Sequence, residues 1–133
     1  MTQSKLEDLL KIDTESYNVF RVLHMFMKLD KTQDVPLQAM AVFWFVATYN
    51  NCSKKNIEDH FKMSKASASR LTDYLSRYHR LGKGGLGLIS KEADPKDKRR
   101  TLLKLTRKGK DLIEKSFSTL YEDVKDYEID YEE

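Results

Sequence analysis

Asp94-Pro95-Lys96-Asp97-Lys98-Arg99-Arg100 runs directly into Thr101-Leu102-Leu103-Lys104-Leu105, a charged turn followed by an apolar strand. Proline presets a turn φ at position 95, and the aspartates offer side-chain acceptors to nearby backbone N–H groups, so the turn is chemically specified. The cations between them have no core to serve. Beyond the turn, Thr101, Leu103 and Leu105 alternate with Leu102 and Lys104, the period-2 pattern of a half-buried strand. The stretch predicts a β-hairpin tip suited to a polyanion, with one foot in the core.

Upstream of the hairpin the chain reads as helices. Apolar residues from Lys5 to about Leu29 (Leu6, Leu9, Leu10, then Val19, Phe20, Leu23, Phe26 and Met27) recur at helical spacing in one long or broken amphipathic segment. Pro36 fits the first turn of a second helix, which is apolar nearly all round from Leu37 to Tyr49 and therefore central, and Asn50-Asn51 stops it. Ser53 caps a short third helix with Ile57 and Phe61 inward. Ser64 caps a fourth, running to about Tyr78, with Ala68, Leu71, Leu75 and Tyr78 on one side and Ala66, Ser69, Arg70, Asp73 and Arg77 on the other. Small hydroxyl and methyl side chains in its first turns allow close approach to a groove wall.

These two helices form a helix-turn-helix, whose second helix reads the major groove from its N-terminal end. Ser64 and Ser69 can donate to phosphates or bases, Lys65 to phosphate, and Arg70 to a guanine edge or phosphate. Gly82, Gly84, Gly85 and Gly87 crowd the passage into the hairpin. With no Gly-Lys-Ser/Thr sequence and no preceding strand, they read as a flexible, exposed linker and not as a nucleotide-binding loop. A helix-turn-helix followed by a charged hairpin is a winged helix.

Charge supports this reading. Residues 53–110 hold 17 Lys and Arg against 6 Asp and Glu, a surplus of 11, while the rest of the chain holds 7 against 15, a deficit of 8. A basic middle with acidic ends suits a protein that presents one surface to phosphates. At 133 residues the chain has room for one domain. The apolar run Met40 to Thr48 is shorter than the roughly 18 to 20 residues that span a bilayer. With acidic residues in place of a signal sequence near the start, the expected location is cytoplasmic, with no membrane partner. Cys52 has no internal disulfide partner, and His24, His60 and His79 lie far apart. No constellation of paired carboxylates, Ser/His/Asp order or metal cluster stands out, so the expectation is no enzyme, no cofactor and no metal.

Pro95-Lys96-Asp97-Lys98-Arg99, then Leu103-Lys104-Leu105-Thr106 and Gly109, resembles the wing signature of the MarR family of bacterial transcriptional regulators. Ser53 to Phe61 and Met63 to Leu71 resemble that family's two helix-turn-helix elements, and the likeness covers roughly residues 36–115. It implies a homodimer on a pseudo-palindromic site of double-stranded DNA, with recognition helices in successive major grooves and wings in flanking minor grooves. Arg99 matches the minor-groove arginine and Asp97 the carboxylate that orients it. Ser64, Lys65, Ser67, Ser69 and Arg70 match positions that face DNA, with Lys96, Lys98 and Arg100 as phosphate contacts around the tip. Asp94 reads as the cap of the turn.

The fold predicted is mainly α with a small β-hairpin: one winged helix-turn-helix domain over residues 1–133. Within it lie dimerisation helices at 5–30 and 106–127, a DNA-binding lobe at 36–105 and an acidic tail at 128–133. Thr106 caps the last helix, whose Leu112, Ile113, Phe117, Leu120, Val124 and Tyr127 make an apolar stripe too long for a small winged helix to cover by itself. The alternative is an intramolecular pair with the first helix.

Some relatives release DNA when a small aromatic acid binds between the dimer helices and the DNA-binding lobe, or when a cysteine is oxidised. A small aromatic ligand is therefore a further expected partner, with Tyr17, His24, Trp44 and Tyr49 as candidate lining residues. Lys54 and Lys55 near Cys52 would lower its pKa. Its position does not match the N-terminal cysteine of oxidation-sensing relatives, which favours a structural role. Two other functions fit less of the pattern: a protein-binding winged helix that modulates another regulator or polymerase, and an RNA-binding module.

Overall fold

A computed structural model describes residues 13–77 and 84–122. The predicted start of the first helix at 5–12, Tyr78, Val124, Tyr127 and the acidic tail lie outside the described residues. Helix α1 spans Thr14–Met27 and is capped by Asp13, whose backbone is extended. The Asp13 carboxylate accepts from the Ser16 hydroxyl at 2.6 Å and from the Ser16 backbone N–H at 3.2 Å, which holds its pKa below the usual carboxylate range.

Helix α2, Leu37–Thr48, follows Pro36, which takes the cap position and not the first turn. Ala39, Val42, Phe43 and Val46 of α2 are fully buried, as expected for a central helix that is apolar on most sides. Asn51, at φ 64°, turns the chain into β1, Cys52–Ser53. Asparagine tolerates this left-handed conformation better than most residues.

The Ser53 side chain then caps α3, Lys54–Phe61, in a reciprocal arrangement. Its Oγ accepts from Asn56 N–H at 3.1 Å while Asn56 Oδ1 accepts from Ser53 N–H at 2.8 Å. Ser64 caps α4, Lys65–Leu75, the predicted recognition helix. Its inward face carries Ala68, Thr72 and Leu75. Thr72 is a polar addition to the predicted apolar side, and its hydroxyl is satisfied by donation to the Ala68 carbonyl at 2.8 Å.

The predicted hairpin is β2, Ile89–Ala93, with β3, Thr101–Leu105. The sheet has three strands in the order β1-β3-β2, all antiparallel, so the hairpin gains a strand that two residues are too short to announce. Leu103, paired with Cys52 on one side and Lys91 on the other, is completely buried. Thr106 caps α5, Arg107–Leu120, by accepting from Gly109 N–H at 3.1 Å.

The reading of the glycine-rich passage as a flexible, exposed linker is wrong for residues 85–88. Gly85, Leu86, Gly87 and Leu88 donate their N–H groups to the carbonyls of Arg77, Tyr74, Ser76 and Leu75, and Leu86 and Leu88 are buried. A Cβ on Gly85 would meet the Ser76 carbonyl oxygen, so glycine serves close backbone approach here. The segment closes the last turn of α4 as a backbone clasp.

Helices α1 and α5 pack together within the chain. The Asn18 side chain, buried on α1, donates to the carbonyls of Leu120 at 3.1 Å and Glu122 at 2.8 Å, and Arg21 pairs with Glu122 at 3.3 Å. Yet Val19, Phe20, Leu23 and Met27 of α1, with Phe117 and Tyr121 at the end of α5, stay exposed, Phe20 by 61%. The intramolecular pairing exists and still leaves an apolar face uncovered.

Candidate nucleic-acid interface

At the start of α4 the hydroxyls are ordered by one another. The Ser64 hydroxyl donates to Ser67 Oγ at 3.0 Å, and Arg70 reaches the same oxygen at 3.1 Å. Ser67 Oγ thus accepts twice, which leaves its own O–H as a donor. Lys65 and Ala66 are exposed beside it. Ser69 is drawn in by Lys54, whose Nζ donates to Ser69 Oγ at 2.7 Å and joins α3 to α4 across the turn. Burial, and the nearness of Lys91 and Lys65 against Glu58 and Asp73, leave the Lys54 ammonium below the usual lysine range.

The wing tip is built by its aspartates. Asp94 accepts from Lys96 N–H at 2.9 Å, and the Asp94 N–H donates to the Arg100 carbonyl at 3.0 Å, closing the turn. Asp97 Oδ1 accepts from both Arg99 N–H at 3.1 Å and Arg99 Nε at 3.3 Å. Asp97 and Arg99 are therefore in contact at the tip. The contact orients a side chain that is 92% exposed, where an ion pair adds little stability, so its effect is directional. Lys96, Lys98 and Arg100 are exposed around it.

Two side chains that tie these parts together carry no signal in the sequence. Lys91 of β2 pairs with Asp73 of α4 at 2.7 Å, both less than a third exposed, and so links wing to recognition helix. Tyr74, the next residue of α4, donates its hydroxyl to Asp30 Oδ2 at 2.8 Å in the turn after α1. Each contact joins residues distant in the chain, whose faces are set only by tertiary packing.

The residues suggested for an aromatic-ligand pocket each have ring or cation partners of their own, and Tyr49 lines a hollow that includes none of the other three. Trp44 packs against Phe26, Phe43 and Phe117, His24 stacks on Phe20, and the Arg21 guanidinium lies over Tyr17. Tyr49 instead faces a hollow between α2 and α3. Cys52 is buried, and burial pushes its thiol up, opposite to the lowering expected from Lys54 and Lys55. Among the described residues no helix is long and apolar enough to cross a membrane, and no group of His, Cys, Asp or Glu could hold a metal ion.

This combination of a helix-turn-helix, a three-stranded wing and two packed outer helices defines a winged helix. No protein-family model matches the sequence, and no curated protein matches it. Solved structures do match the fold. A structure of MarR is similar at TM-score 0.55 and 21% identity, covering 86% of this chain and 74% of that one. A DNA complex of MepR from S. aureus gives TM-score 0.58 at 19% identity over 78% and 73% of the two chains. Tm0710 from Thermotoga maritima, described as a transcriptional regulator, gives 0.56 at 18% over 89% and 74%. The chain has the winged-helix fold of the MarR-type regulators.

Proposed function

We propose that the chain is a transcriptional regulator of the MarR family that binds duplex DNA as a homodimer on a pseudo-palindromic site. The observation that carries this is the pairing of two presented cations on linked elements. Arg70 stands beside the ordered serines at the start of α4, Arg99 is braced by Asp97 at the wing tip, and Lys91–Asp73 joins the two elements. In this reading Ser64, Lys65, Ser67, Ser69 and Arg70 face a major groove. Arg99 enters the adjoining minor groove, where a planar, weakly hydrated guanidinium suits the concentrated negative potential. Lys96, Lys98 and Arg100 neutralise phosphates.

The apolar face of α1 and the end of α5 is the surface for the second copy, which would set two recognition helices roughly 34 Å apart. The likeness to a MepR–DNA complex supports the same reading. Selection of bound duplexes from a random pool tests it: an inverted repeat is expected, and a pool left unenriched would refute it. Preference for single-stranded RNA, or binding that ignores salt, would assign the surface to another partner.

A further inference from the structure

On the α2–α3 side of the lobe, Phe45 has close ring neighbours in Tyr49 and His60. Tyr49 lies 4.7 Å away between ring centroids and His60 4.8 Å, tilted from Phe45 by 49° and 44°. The three rings wall a hollow of about 530 Å³ completed by Cys52, Asn56 and Asp59. That volume lies in the range of small-molecule sites, and an aromatic wall with a few polar groups is their usual lining. Tyr49 is 56% exposed and His60 is exposed too, so these rings face the hollow without being needed to fill the core.

The polar groups define what fits. Cys52 is kept a neutral thiol by burial, so it offers neither a charge nor a ready nucleophile. Asn56 has its carbonyl oxygen committed to Ser53 N–H, which leaves its NH2 group as a donor. The one fixed charge of the lining is the Asp59 carboxylate, whose Oδ1 meets Lys55 Nζ at 3.0 Å. The aromatic faces favour a cation over an anion, and Asp59 adds to this with the part of its charge that Lys55 does not offset. We propose that this hollow binds a small organic cation carrying an aromatic ring, the ring stacking on Tyr49 and His60 and the positive charge held by the aromatic faces and Asp59.

This site, between α2 and α3, differs in both place and charge from the one the resemblance implies for an aromatic acid between the dimer helices and the lobe. Its α3 wall also carries Lys54, bonded to Ser69 of α4, so an occupant touches the helix that supports the recognition helix.

The test uses the full chain without DNA, so its result is independent of the DNA-binding reading. Benzyltrimethylammonium, benzyl alcohol and benzoate are titrated by calorimetry, with the binding surface mapped from the Tyr49 and His60 ring resonances. The cation is expected to bind about tenfold more tightly than the alcohol, and benzoate to show no binding. Asp59→Asn should weaken the cation about fivefold, and Tyr49→Ala should abolish measurable binding. Both residues are exposed, so circular dichroism should be unchanged. Lys55→Ala, which releases Asp59 from its neighbour, should tighten the cation about twofold. Benzoate binding as well as the cation, resonance shifts elsewhere only, or indifference to all three substitutions would overturn the proposal.

Discussion

Lys91 Nζ and Asp73 Oδ1, 2.7 Å apart, join the middle of β2 to α4, so the hairpin is tied to that helix beyond its base. Asp73→Ala should cost about 1 kcal/mol of stability at most, as for other partly exposed pairs. On the proposed function, duplex binding should also fall, by about fivefold, because α4 and the wing would no longer keep a fixed separation. Fluorescence anisotropy with a selected duplex, set beside urea unfolding of the same variant, checks this.

Arg99 is almost fully exposed, so its removal should leave the fold alone. Arg99→Ala is expected to weaken duplex binding about tenfold, and Asp97→Ala by less, since it frees the guanidinium without removing it. Titrations across a salt series should give a shallower log–log slope for Lys98→Ala than for the unaltered chain, by about one unit for each phosphate that is no longer neutralised.

Phe20 projects from α1 into solvent in the single chain. Phe20→Asp should convert a dimer to a folded monomer, with unchanged circular dichroism and at least a hundredfold weaker binding to an inverted repeat. Sedimentation equilibrium reads the outcome, and a dimer that survives the substitution would move the interface elsewhere.

Gly109 lies in the first turn of α5 against the Leu88 carbonyl, which a Cβ would strike. Gly109→Ala should destabilise the chain by about 2 kcal/mol or more, whereas alanine in a free helix position is ordinarily favourable. Gly84→Ala is the control, having nothing within 4 Å of its Cβ position, and urea midpoints should separate the two.

Burial, and then the hydrogen bond to Asp30, push the Tyr74 phenol above the usual tyrosine range. The unfolded chain therefore loses the Tyr74 proton first as pH climbs past about 10. The stability this group contributes is fully present below that pH and is lost above it. Tyr74→Phe should flatten the decline in stability above about pH 10 and leave the profile below it unchanged, measured by urea unfolding at each pH.

The sequence shows most where the chemistry is local. Ser53, Ser64 and Thr106 cap their helices as their positions suggest, Asp97 braces Arg99 two residues on, and the alternation at Leu103 and Leu105 reports the strand's inner face. What could not be read depends on distant partners. Four glycines look like freedom, but residues 85–88 are glycine-rich because backbone packs on backbone. Lys54, Lys91 and Asp30 carry no motif, and their meaning arises only when α4 is set between the wing and the turn after α1. The third strand, Cys52–Ser53, is too short to show any alternation.

Leu88 gives its N–H to Leu75 at the end of α4 and its carbonyl to Thr106 at the start of α5, with Gly109 pressed beneath. Three elements thus meet at one residue, while the wing turn is closed by hydrogen bonds among its own residues. Among the described residues of this half of the molecule, the wing turn is where a change of length disturbs no other element. Residues inserted between Asp94 and Arg100 should lengthen that turn alone, whereas a single insertion at 85–88 should loosen α4, the hairpin and α5 at once.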